Sequence, residues 1–369
     1  MTSRGLIVHE WIERVGGAER VLDEFAGLFP AAEILTLWND HPDRYRSGRV
    51  HETVLARLPH AGRKVVSLPL MPAVWRTSGR QLGAHDWALV SSHLFAHHVR
   101  VPGVDPDRHF VYAYTPARYL WEPDLDSRGS ALPMRAAATA LRRLDRRVGS
   151  RHQRLAVPSA FVRDRVARTW GIDAEVIHPP VDLDRVRSAV ARPDLLEPEE
   201  QRILADLPGD YVLGASRFVP YKRLDLAIRA GAASGRPVVI AGCGPEESRL
   251  RTAAELSGAD VRFVIAPSDR LFACILARAA VFVFPAVEDF GIVPVEALAV
   301  GTPVVVADEG GTRETVSDQS GVRLTDHSSS TLRDAVEAAA RLSPDDCRRN
   351  ADHFASPRFR SEMTNWMQL

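Results

Sequence analysis

Two glutamates, Glu288 and Glu296, stand with seven residues between them in the segment EDFGIVPVE. The segment follows an apolar run at 279–285 that predicts a buried parallel strand, and it leads into a helix that Gly301 closes. In doubly wound sheets, ligands bind at the carboxyl ends of the strands. A carboxylate there can accept two hydrogen bonds from a vicinal diol, such as ribose or a sugar offers. The pair therefore predicts a site for sugar hydroxyls.

A simpler explanation covers only one of these two glutamates. Glu288 is expected where the strand ends, and Glu296 in the first helical turn. Acidic residues in a first turn are favoured by the positive end of the helix dipole, whatever else they do. That effect accounts for Glu296 but not for Glu288. Three residues between them are assigned to the same ligand-binding segment: Phe290, Gly291 and Ile292.

Two cations, Arg217 and Lys222, follow an earlier predicted strand in the segment GASRFVPYKR. They lie in a loop ahead of a helix, where backbone amides add to their field, so the loop predicts a diphosphate site. A solvated basic loop is the alternative, and the glutamates two strands later weigh against it. Lys222 is preferred over Arg223, which can face solvent or pair with Asp225.

Two glycine loops mark further places where a ligand can approach the backbone. Gly242 and Gly244 bend the chain after the strand at 237–241, at the same edge as the cations. Glu247 stands where a dinucleotide fingerprint needs its third glycine, which argues against a dehydrogenase. Gly16 and Gly17 follow the first strand, and their amides could contact a phosphate or an acceptor. A turn that needs a positive φ explains that pair equally well.

A histidine, His93, follows the predicted strand that ends at Val90. At the carboxyl edge of a central strand it could contact a sugar or help to position a nucleophile. A lone histidine is more often structural, and the nearby His97 and His98 make His93 less distinctive as a candidate site residue. The chain also holds Asp-x-Asp pairs, but none follows a convincing strand. We therefore predict no catalytic metal.

The alternation of strands and helices predicts an α/β fold of two Rossmann-like domains with parallel sheets facing across a cleft. The first domain is expected at 1–182 and the second at 183–355, with a C-terminal helix at 356–369 packing back on the first. The adjacent Pro179 and Pro180 forbid helix and suit a hinge. Strands are predicted at 5–9, 34–37, 88–90, 110–114, 155–157, 211–214, 237–241, 261–265, 280–284 and 303–307. Helices are predicted at 18–29, 134–154 and 224–233.

The bulk composition excludes several classes of protein. With 369 residues, 45% hydrophobic and 25% charged, the chain is typical of a globular protein with two cores. Its 47 basic and 47 acidic residues create no global field for nucleic acid. Three scattered cysteines indicate reduced thiols in the cytoplasm. The sequence shows no signal-like or membrane-spanning run, so any membrane contact is expected to be peripheral.

One segment is suited to such a contact. Arg135–Arg154 holds seven arginines against a single acid, Asp145. An anionic membrane surface, at the inner face of the membrane, or a lipid-phosphate acceptor would suit it. A solvated helix face is the alternative.

The chain resembles the retaining glycosyltransferases of family 4, which have the GT-B fold. The likeness is densest to bacterial GDP-mannose-dependent mannosyltransferases of polysaccharide assembly, and it extends from His9 to Val316. The matching segments are VHEWIERVGGAERVL, LVSSHLFAHHV, YAYTPARYLW, VPSAFV, VIHPPVD, VPYKR, GCGPE, EDFGIVPVEALAVGTPVV and GGTRETV.

The resemblance implies roles for the residues singled out above. Arg217 and Lys222 would hold the donor diphosphate, Glu296 the ribose hydroxyls and Glu288 the donor sugar. His93 falls where the family has its sugar-contacting histidine. Gly16 and Gly17 match the loop on the acceptor and phosphate side.

Two departures from the family pattern concern the pockets. Relatives have CHTP where this chain has AYTP, so Tyr114 replaces a histidine on the acceptor side. A glycine commonly follows the strand near Val264, but here Ile265 is followed by Ala266 and Pro267. The first change can alter the acceptor or sugar pocket, and the second lies near the expected base.

The resulting hypothesis is a retaining, metal-independent hexosyltransferase that needs no cofactor. Its donor is a nucleotide-diphosphate sugar, with GDP-mannose favoured. Its acceptor is a hydroxyl of a glycan, a lipid-linked glycan or a small molecule. Two alternatives are a nucleotide-sugar epimerase of GT-B fold, which needs no acceptor, and a catalytically inactive nucleotide-sugar-binding partner subunit. A phosphorylase would need a pyridoxal lysine, which no segment indicates.

Overall fold

The computed structural model describes residues 4–14, 16–122 and 132–369, and for residues 132–137 it describes the backbone alone. The chain divides into two compact units. Unit 1 comprises Met1–Pro180 and Phe359–Leu369, and unit 2 comprises Val181–Arg358.

Unit 1 is built on a seven-stranded sheet with the order β3-β2-β1-β4-β5-β6-β7. All its recorded pairings are parallel. The strands are β1 (Gly5–His9), β2 (Glu33–Thr36), β3 (Val50–Glu52), β4 (Trp87–Ser92), β5 (His109–Ala113), β6 (Arg154–Val157) and β7 (Glu175–Val176). Its α-helices are α1 (Gly17–Leu28), α2 (Arg63–Ser67), α3 (Met71–Ser78), α4 (Arg118–Trp121), α5 (Leu132–Gly149) and α6 (Ala160–Trp170).

Unit 2 is built on a six-stranded parallel sheet with the order β10-β9-β8-β11-β12-β13. The strands are β8 (Val212–Ala215), β9 (Val238–Gly242), β10 (Val261–Ile265), β11 (Val281–Phe284), β12 (Val304–Ala307) and β13 (Gly321–Leu324). The helices of unit 2 are α7 (Leu183–Ala191), α8 (Pro198–Asp206), α9 (Leu224–Ser234), α10 (Glu247–Ser257), α11 (Asp269–Arg278), α12 (Ile292–Ala299), α13 (Ser329–Ala339) and α14 (Pro344–Asp352). The last helix, α15 (Ser356–Met367), belongs to unit 1 from Phe359 onward.

Each sheet reverses its strand order once, and the reversals confirm the predicted class of fold. In unit 1 the chain winds outward from β1 in one direction and from β4 in the other, so the switch point lies between these neighbours. In unit 2 the corresponding neighbours are β8 and β11. Loops that leave adjacent strands at a switch point diverge to opposite faces and open a crevice for ligands.

The strands at the centre of both sheets are apolar on both faces because helices cover them. Every residue of β4, β8, β11 and β12 is buried. This burial explains why continuous apolar runs predicted these strands to within three residues. The strands that sequence analysis missed, β3, β7 and β13, have two to four residues and lie at sheet edges, where exposed positions interrupt the pattern.

Helix α7 follows the two adjacent prolines, and the Asp182 carboxylate caps it by accepting from the Arg185 amide. Two local predictions need correction. The helix expected to reach residue 154 ends at Gly149, because Arg154 already belongs to β6. Glu296 is the fifth residue of α12 and so lies beyond its first turn.

Helix α15 packs on the core of unit 1. Phe359 and Met363 are buried, and the Phe359 ring lies 5.6 Å from that of Phe25 in α1. Arg360 pairs with Glu24 of the same helix α1 at 2.5 Å. Separately, none of the helices that the structure describes is both long and apolar enough to cross a bilayer.

Candidate functional site

The loop after β8 carries the two predicted diphosphate-binding cations. Arg217 is exposed and donates to the Tyr221 hydroxyl at 3.2 Å. Lys222 is the last residue of the short 3₁₀ turn Pro220–Lys222 that follows. Arg223, which follows in the left-handed conformation, pairs with Asp225 at 3.4 Å. The expected pairing of Arg223 with Asp225 is therefore present.

The glycine loop after β9 packs directly against this cation loop. Phe218 donates its amide to the Cys243 carbonyl at 2.8 Å. A Cβ atom at Gly242 would lie 1.9 Å from the Ser216 carbonyl oxygen, and the φ of Gly242 is +138°. A Cβ atom at Gly244 would lie 2.7 Å from the Phe218 carbonyl oxygen, and the φ of Gly244 is +150°. Both glycines are therefore required where two backbones meet beside Arg217.

The central contact of unit 2 joins the two predicted sets of residues. The Lys222 ammonium forms an ion pair and hydrogen bond with the Glu288 carboxylate across 66 residues of sequence. Glu288 lies four residues beyond the end of β11, not at the strand end as expected. The side chains of Lys222 and Glu288 are 11% and 18% exposed, so the pair is largely shielded yet reachable by a ligand. The Lys222 ammonium also lies 5.2 Å from the centre of the Phe284 ring.

Glu296 is held by a residue that sequence analysis did not consider. Arg185 of α7 donates to the Glu296 carboxylate at 2.8 Å and to Asp269 at 3.1 Å. Glu296 is only 5% exposed, and a buried carboxylate needs such a charged donor. No local sequence pattern predicts this contact.

The residues between the two glutamates turn the chain into α12. Gly291 is the N-cap residue with φ +114°, and Ile292 begins the helix. Phe290 is buried and packs against Phe354. The Gly311 amide donates to the Glu288 carbonyl at 2.7 Å, and this bond fixes the backbone that carries Glu288.

In unit 1 a buried carboxylate organises the loop that carries His93. Glu10 directly follows β1 and is 0% exposed. Its oxygens accept the backbone amides of His93 at 3.2 Å, Leu94 at 2.8 Å and Ala96 at 2.8 Å. Its Oε2 also lies 3.6 Å from Nδ1 of the His93 ring. No local pattern predicts this role of Glu10, because its partners lie more than 80 residues away along the chain.

The His93 ring lies among aromatic neighbours that belong to the same switch point. Its centre is 4.7 Å from the Trp11 ring, 5.8 Å from the His9 ring and 6.2 Å from the Tyr114 ring. Burial, together with the nearby His93, lowers the pKa of His9 to about 3, so His9 is neutral. The Ser91 hydroxyl bridges Nδ1 of His9 at 2.9 Å and the Tyr114 hydroxyl at 3.0 Å.

The predicted glycine loop is tied to this group through Tyr114. The Tyr114 hydroxyl lies 3.2 Å from the Ala18 carbonyl in the first turn of α1, to which it donates. Gly16 precedes the helix, and a Cβ atom there would lie 1.9 Å from the Glu19 carboxylate. Burial raises the pKa of Glu19 above its usual value. Ala18, His93 and Tyr114 thus belong to one group of contacts in unit 1.

Replacing Glu10 by glutamine should lower the free energy of unfolding by about 2 kcal/mol. The amide nitrogen of glutamine cannot accept, so at least one buried backbone amide of the loop loses its partner. Chemical unfolding followed by tryptophan fluorescence measures the change. Glu175→Gln, at an exposed glutamate of β7, is the control and should change stability by less than about 0.5 kcal/mol. Equal stability of both variants would contradict the anchoring role of Glu10.

Within the described residues, one group has metal-like spacing: His97, His98 and Asp145, all buried. Asp145 accepts from Nε2 of His97 at 3.0 Å and of His98 at 3.1 Å. Its other oxygen accepts from the indoles of Trp121 at 2.7 Å and Trp170 at 2.8 Å. Burial opposes ionisation of Asp145, but the two imidazoles prevail and hold its pKa well below its usual value. These bonds give the carboxylate a packing role between α5, α4 and α6.

Comparison with known sequences identifies relatives of the chain. Residues 197–353 match the family described as Glycosyl transferases group 1. Over 337 residues the chain is 31% identical to the GDP-mannose-dependent alpha-(1-6)-phosphatidylinositol monomannoside mannosyltransferase of Mycolicibacterium smegmatis. That alignment covers 84% of this chain and 81% of the relative. The D-inositol 3-phosphate glycosyltransferase of Mycobacterium tuberculosis is 34% identical over 182 residues, which is 46% of this chain and 36% of that protein.

Comparison with solved structures identifies the same fold. Anabaena Alr3699/HepE in complex with UDP and glucose superposes with a TM-score of 0.70 at 16% identity, covering 99% of both chains. Sucrose-phosphate synthase from Thermosynechococcus elongatus superposes with a TM-score of 0.72 at 16% identity, covering 99% of this chain and 98% of that one. These neighbours have the GT-B fold, and at this identity the likeness concerns the fold alone.

Proposed function

Because this chain belongs to the group 1 glycosyl transferases, we propose that it transfers a hexose from a nucleoside-diphosphate sugar to a hydroxyl acceptor. Mannose is the favoured sugar and GDP the favoured nucleotide, since the M. smegmatis relative is named as GDP-mannose-dependent. The acceptor class is a glycan, a lipid-linked glycan or a small molecule with a free hydroxyl. The anomeric configuration is retained, and the reaction uses no metal ion.

The contact between Lys222 and Glu288 carries this proposal. It brings a cation and a carboxylate together beyond the carboxyl ends of β8 and β11, the neighbours at the switch point of unit 2. A diphosphate sugar has a matching pair of groups, an anionic phosphate next to sugar hydroxyls. In the proposed complex the ammonium turns to the phosphate and the carboxylate accepts from the sugar hydroxyls.

The demanding step is cleavage of the anomeric C–O bond, because negative charge accumulates on the departing phosphate. Arg217 and Lys222 stabilise that charge from positions set before the reaction. The acceptor oxygen attacks the oxocarbenium-like carbon from the face that the phosphate leaves, and the phosphate oxygen takes the acceptor proton. Glu296 accepts the ribose hydroxyls while Arg185 keeps one of its oxygens engaged. In unit 1, His93 is proposed to contact the sugar, and Gly16 and Gly17 to serve the acceptor side.

A thermal-shift screen tests the choice of nucleotide. A ligand that binds the folded chain raises its free energy of unfolding by mass action, by about 2.7 kcal/mol at a hundredfold excess over Kd, and so raises its melting temperature. We expect GDP to stabilise the chain more than UDP, dTDP or ADP. The preferred nucleotide sugar is then incubated with the chain and its products are analysed. An epimerised nucleotide sugar formed without an acceptor, or no turnover with any donor, would contradict the transferase proposal.

Glu296→Ala should weaken binding of the preferred nucleotide about tenfold to a hundredfold. The substitution removes a charged acceptor, and hydrogen bonds to charged groups contribute about 1.5–3 kcal/mol. Isothermal titration with the nucleoside diphosphate measures the change, and it needs no acceptor. Asp269→Asn is the matched control, because Asp269 is the exposed second partner of Arg185. The control should bind as the parent does, and an equal loss in both variants would assign the effect to Arg185 instead.

A further inference from the structure

The arginine-rich helix α5 and helix α3 form the walls of an open groove in unit 1, with a volume of about 400 Å³. Pro72, Ala73 and Leu141 are among its apolar lining residues. Four arginines also line it: Arg76, Arg100, Arg147 and Arg151. The groove is therefore lined by both positively charged and apolar side chains.

These four guanidinium groups differ from the other arginines of α5 and its neighbourhood. Arg142 and Arg146 donate to backbone carbonyls of Leu120 and Thr169, and so serve the fold. By contrast, no described residue offers a hydrogen bond or an ion pair to the guanidinium groups that line the groove. The only acid of α5, Asp145, is 0% exposed and points to the interior, where it binds His97 and His98. The Asp145 carboxylate therefore does not neutralise the arginines at the surface of the groove.

An exposed apolar ridge runs along the same helical stretch as one wall of the groove. Val65 and Val66 of α2 are 60% and 64% exposed, and Leu70 is 50% exposed. Pro69 and Ala73, which continue the ridge at helical spacing, line the groove itself. Residues 53–85, which contain this ridge, include five lysines and arginines and not one acidic residue. Two of these cations, Arg63 and Lys64, are neutralised by Asp40 and Glu13.

We propose that the groove and the ridge together form a docking face for an anionic phospholipid bilayer. Charge complementarity selects the partner, because lipid phosphates supply the anions that the four arginines lack. The apolar ridge beside them suits the boundary between headgroups and acyl chains, where valine and leucine side chains leave water. A soluble anion would use the arginines but would leave the exposed ridge unexplained. The face is not tied to the donor site proposed in unit 2.

Flotation of the purified full-length chain with lipid vesicles tests the proposal. We expect binding to phosphatidylcholine vesicles that contain phosphatidylglycerol, and little binding to phosphatidylcholine alone. Raising the salt concentration should weaken the binding, because salt screens exposed charges. The double variant Arg147→Gln/Arg151→Gln should bind about 25-fold more weakly, at about fivefold per cation. The double variant Val66→Ser/Leu70→Ser should bind about tenfold more weakly.

Arg262→Gln/Arg333→Gln is the matched control, since both arginines are exposed on unit 2. It removes the same charge and should bind as the parent does. Melting temperatures of all variants establish that they are folded. Unchanged binding of Arg147→Gln/Arg151→Gln, or an equal loss in the control, would overturn the proposal. Displacement from the vesicles by glycerol phosphate, with normal binding of Val66→Ser/Leu70→Ser, would identify a soluble-anion site instead of a bilayer face.

Discussion

Lys222→Ala should lower kcat by about a hundredfold to a thousandfold, while affinity for the donor should change much less. The reason lies in the timing of the charge. The phosphate becomes more negative as the anomeric bond breaks, so a positioned cation contributes more to the transition state than to the bound donor. Loss of one such preorganised group costs about 2.7–4 kcal/mol of the activation free energy. Release of nucleoside diphosphate from the preferred nucleotide sugar measures kcat and KM separately.

Arg223→Ala is the control for this prediction, because it removes the neighbouring cation. Arg223 pairs with Asp225 rather than with Glu288, so its loss should change kcat by less than about threefold. Thermal unfolding checks that Lys222→Ala, which leaves Glu288 without its ion-pair partner, remains folded. A normal kcat for Lys222→Ala would show that the leaving-group role is wrong. Equal losses in both variants would assign the effect to the net charge of the loop.

Acidification from neutral pH to about pH 5 should lower the free energy of unfolding of unit 1 by at least about 6 kcal/mol. Burial lowers the pKa of His98 and of His109 to about 4, and that of His9 to about 3. In the unfolded chain these imidazoles titrate near pH 6.5, so at about pH 5 each of the three contributes roughly 2 kcal/mol to this loss. Burial also lowers the pKa of His85 and of His152, which adds to the loss. Since domains are stable by only about 5–15 kcal/mol, the effect is large.

The direction of this change in the free energy of unfolding follows from the number of protons that the folded and the unfolded state bind. A histidine with a depressed folded pKa stabilises the fold fully above its unfolded pKa. This stabilisation declines as the pH falls below about 6.5, because the histidine binds a proton in the unfolded chain but stays neutral in the folded chain. Glu19 acts in the opposite direction, since its raised pKa lets the folded chain accept a proton first. The depressed pKa of Asp145 matters only at lower pH, below the range of this experiment.

Tryptophan fluorescence reports on unit 1 by itself, because all seven tryptophans of the chain fall within it. Urea unfolding followed by this signal at both pH values gives the difference in free energy. His9→Gln removes one of these titrating groups and should reduce the loss of stability between the two pH values by roughly 2 kcal/mol. His60→Gln, at an exposed histidine, should leave the dependence unchanged. A stability of unit 1 that is independent of pH in this range would contradict the prediction.

The fold was largely predictable from the sequence, because its central strands are fully buried and therefore give largely continuous apolar runs. The runs at β4, β8, β11 and β12 carry this signal. The edge strands β3, β7 and β13 were missed, since few of their residues are buried and their pairing partners decide the conformation.

Residue types and spacing by themselves determined which side chains could do chemistry: two carboxylates after one strand, two cations after another, and glycines where backbones approach closely. These are local properties, expressed within about ten residues. The tertiary structure alone decided which of them meet. It paired Lys222 with Glu288, engaged Glu296 with Arg185 across 111 residues, and placed Glu10 beneath the His93 loop. It also divided the arginines of α5 between the fold and an open groove. The physical reason is that a contact between distant segments depends on strand order, which no local pattern encodes.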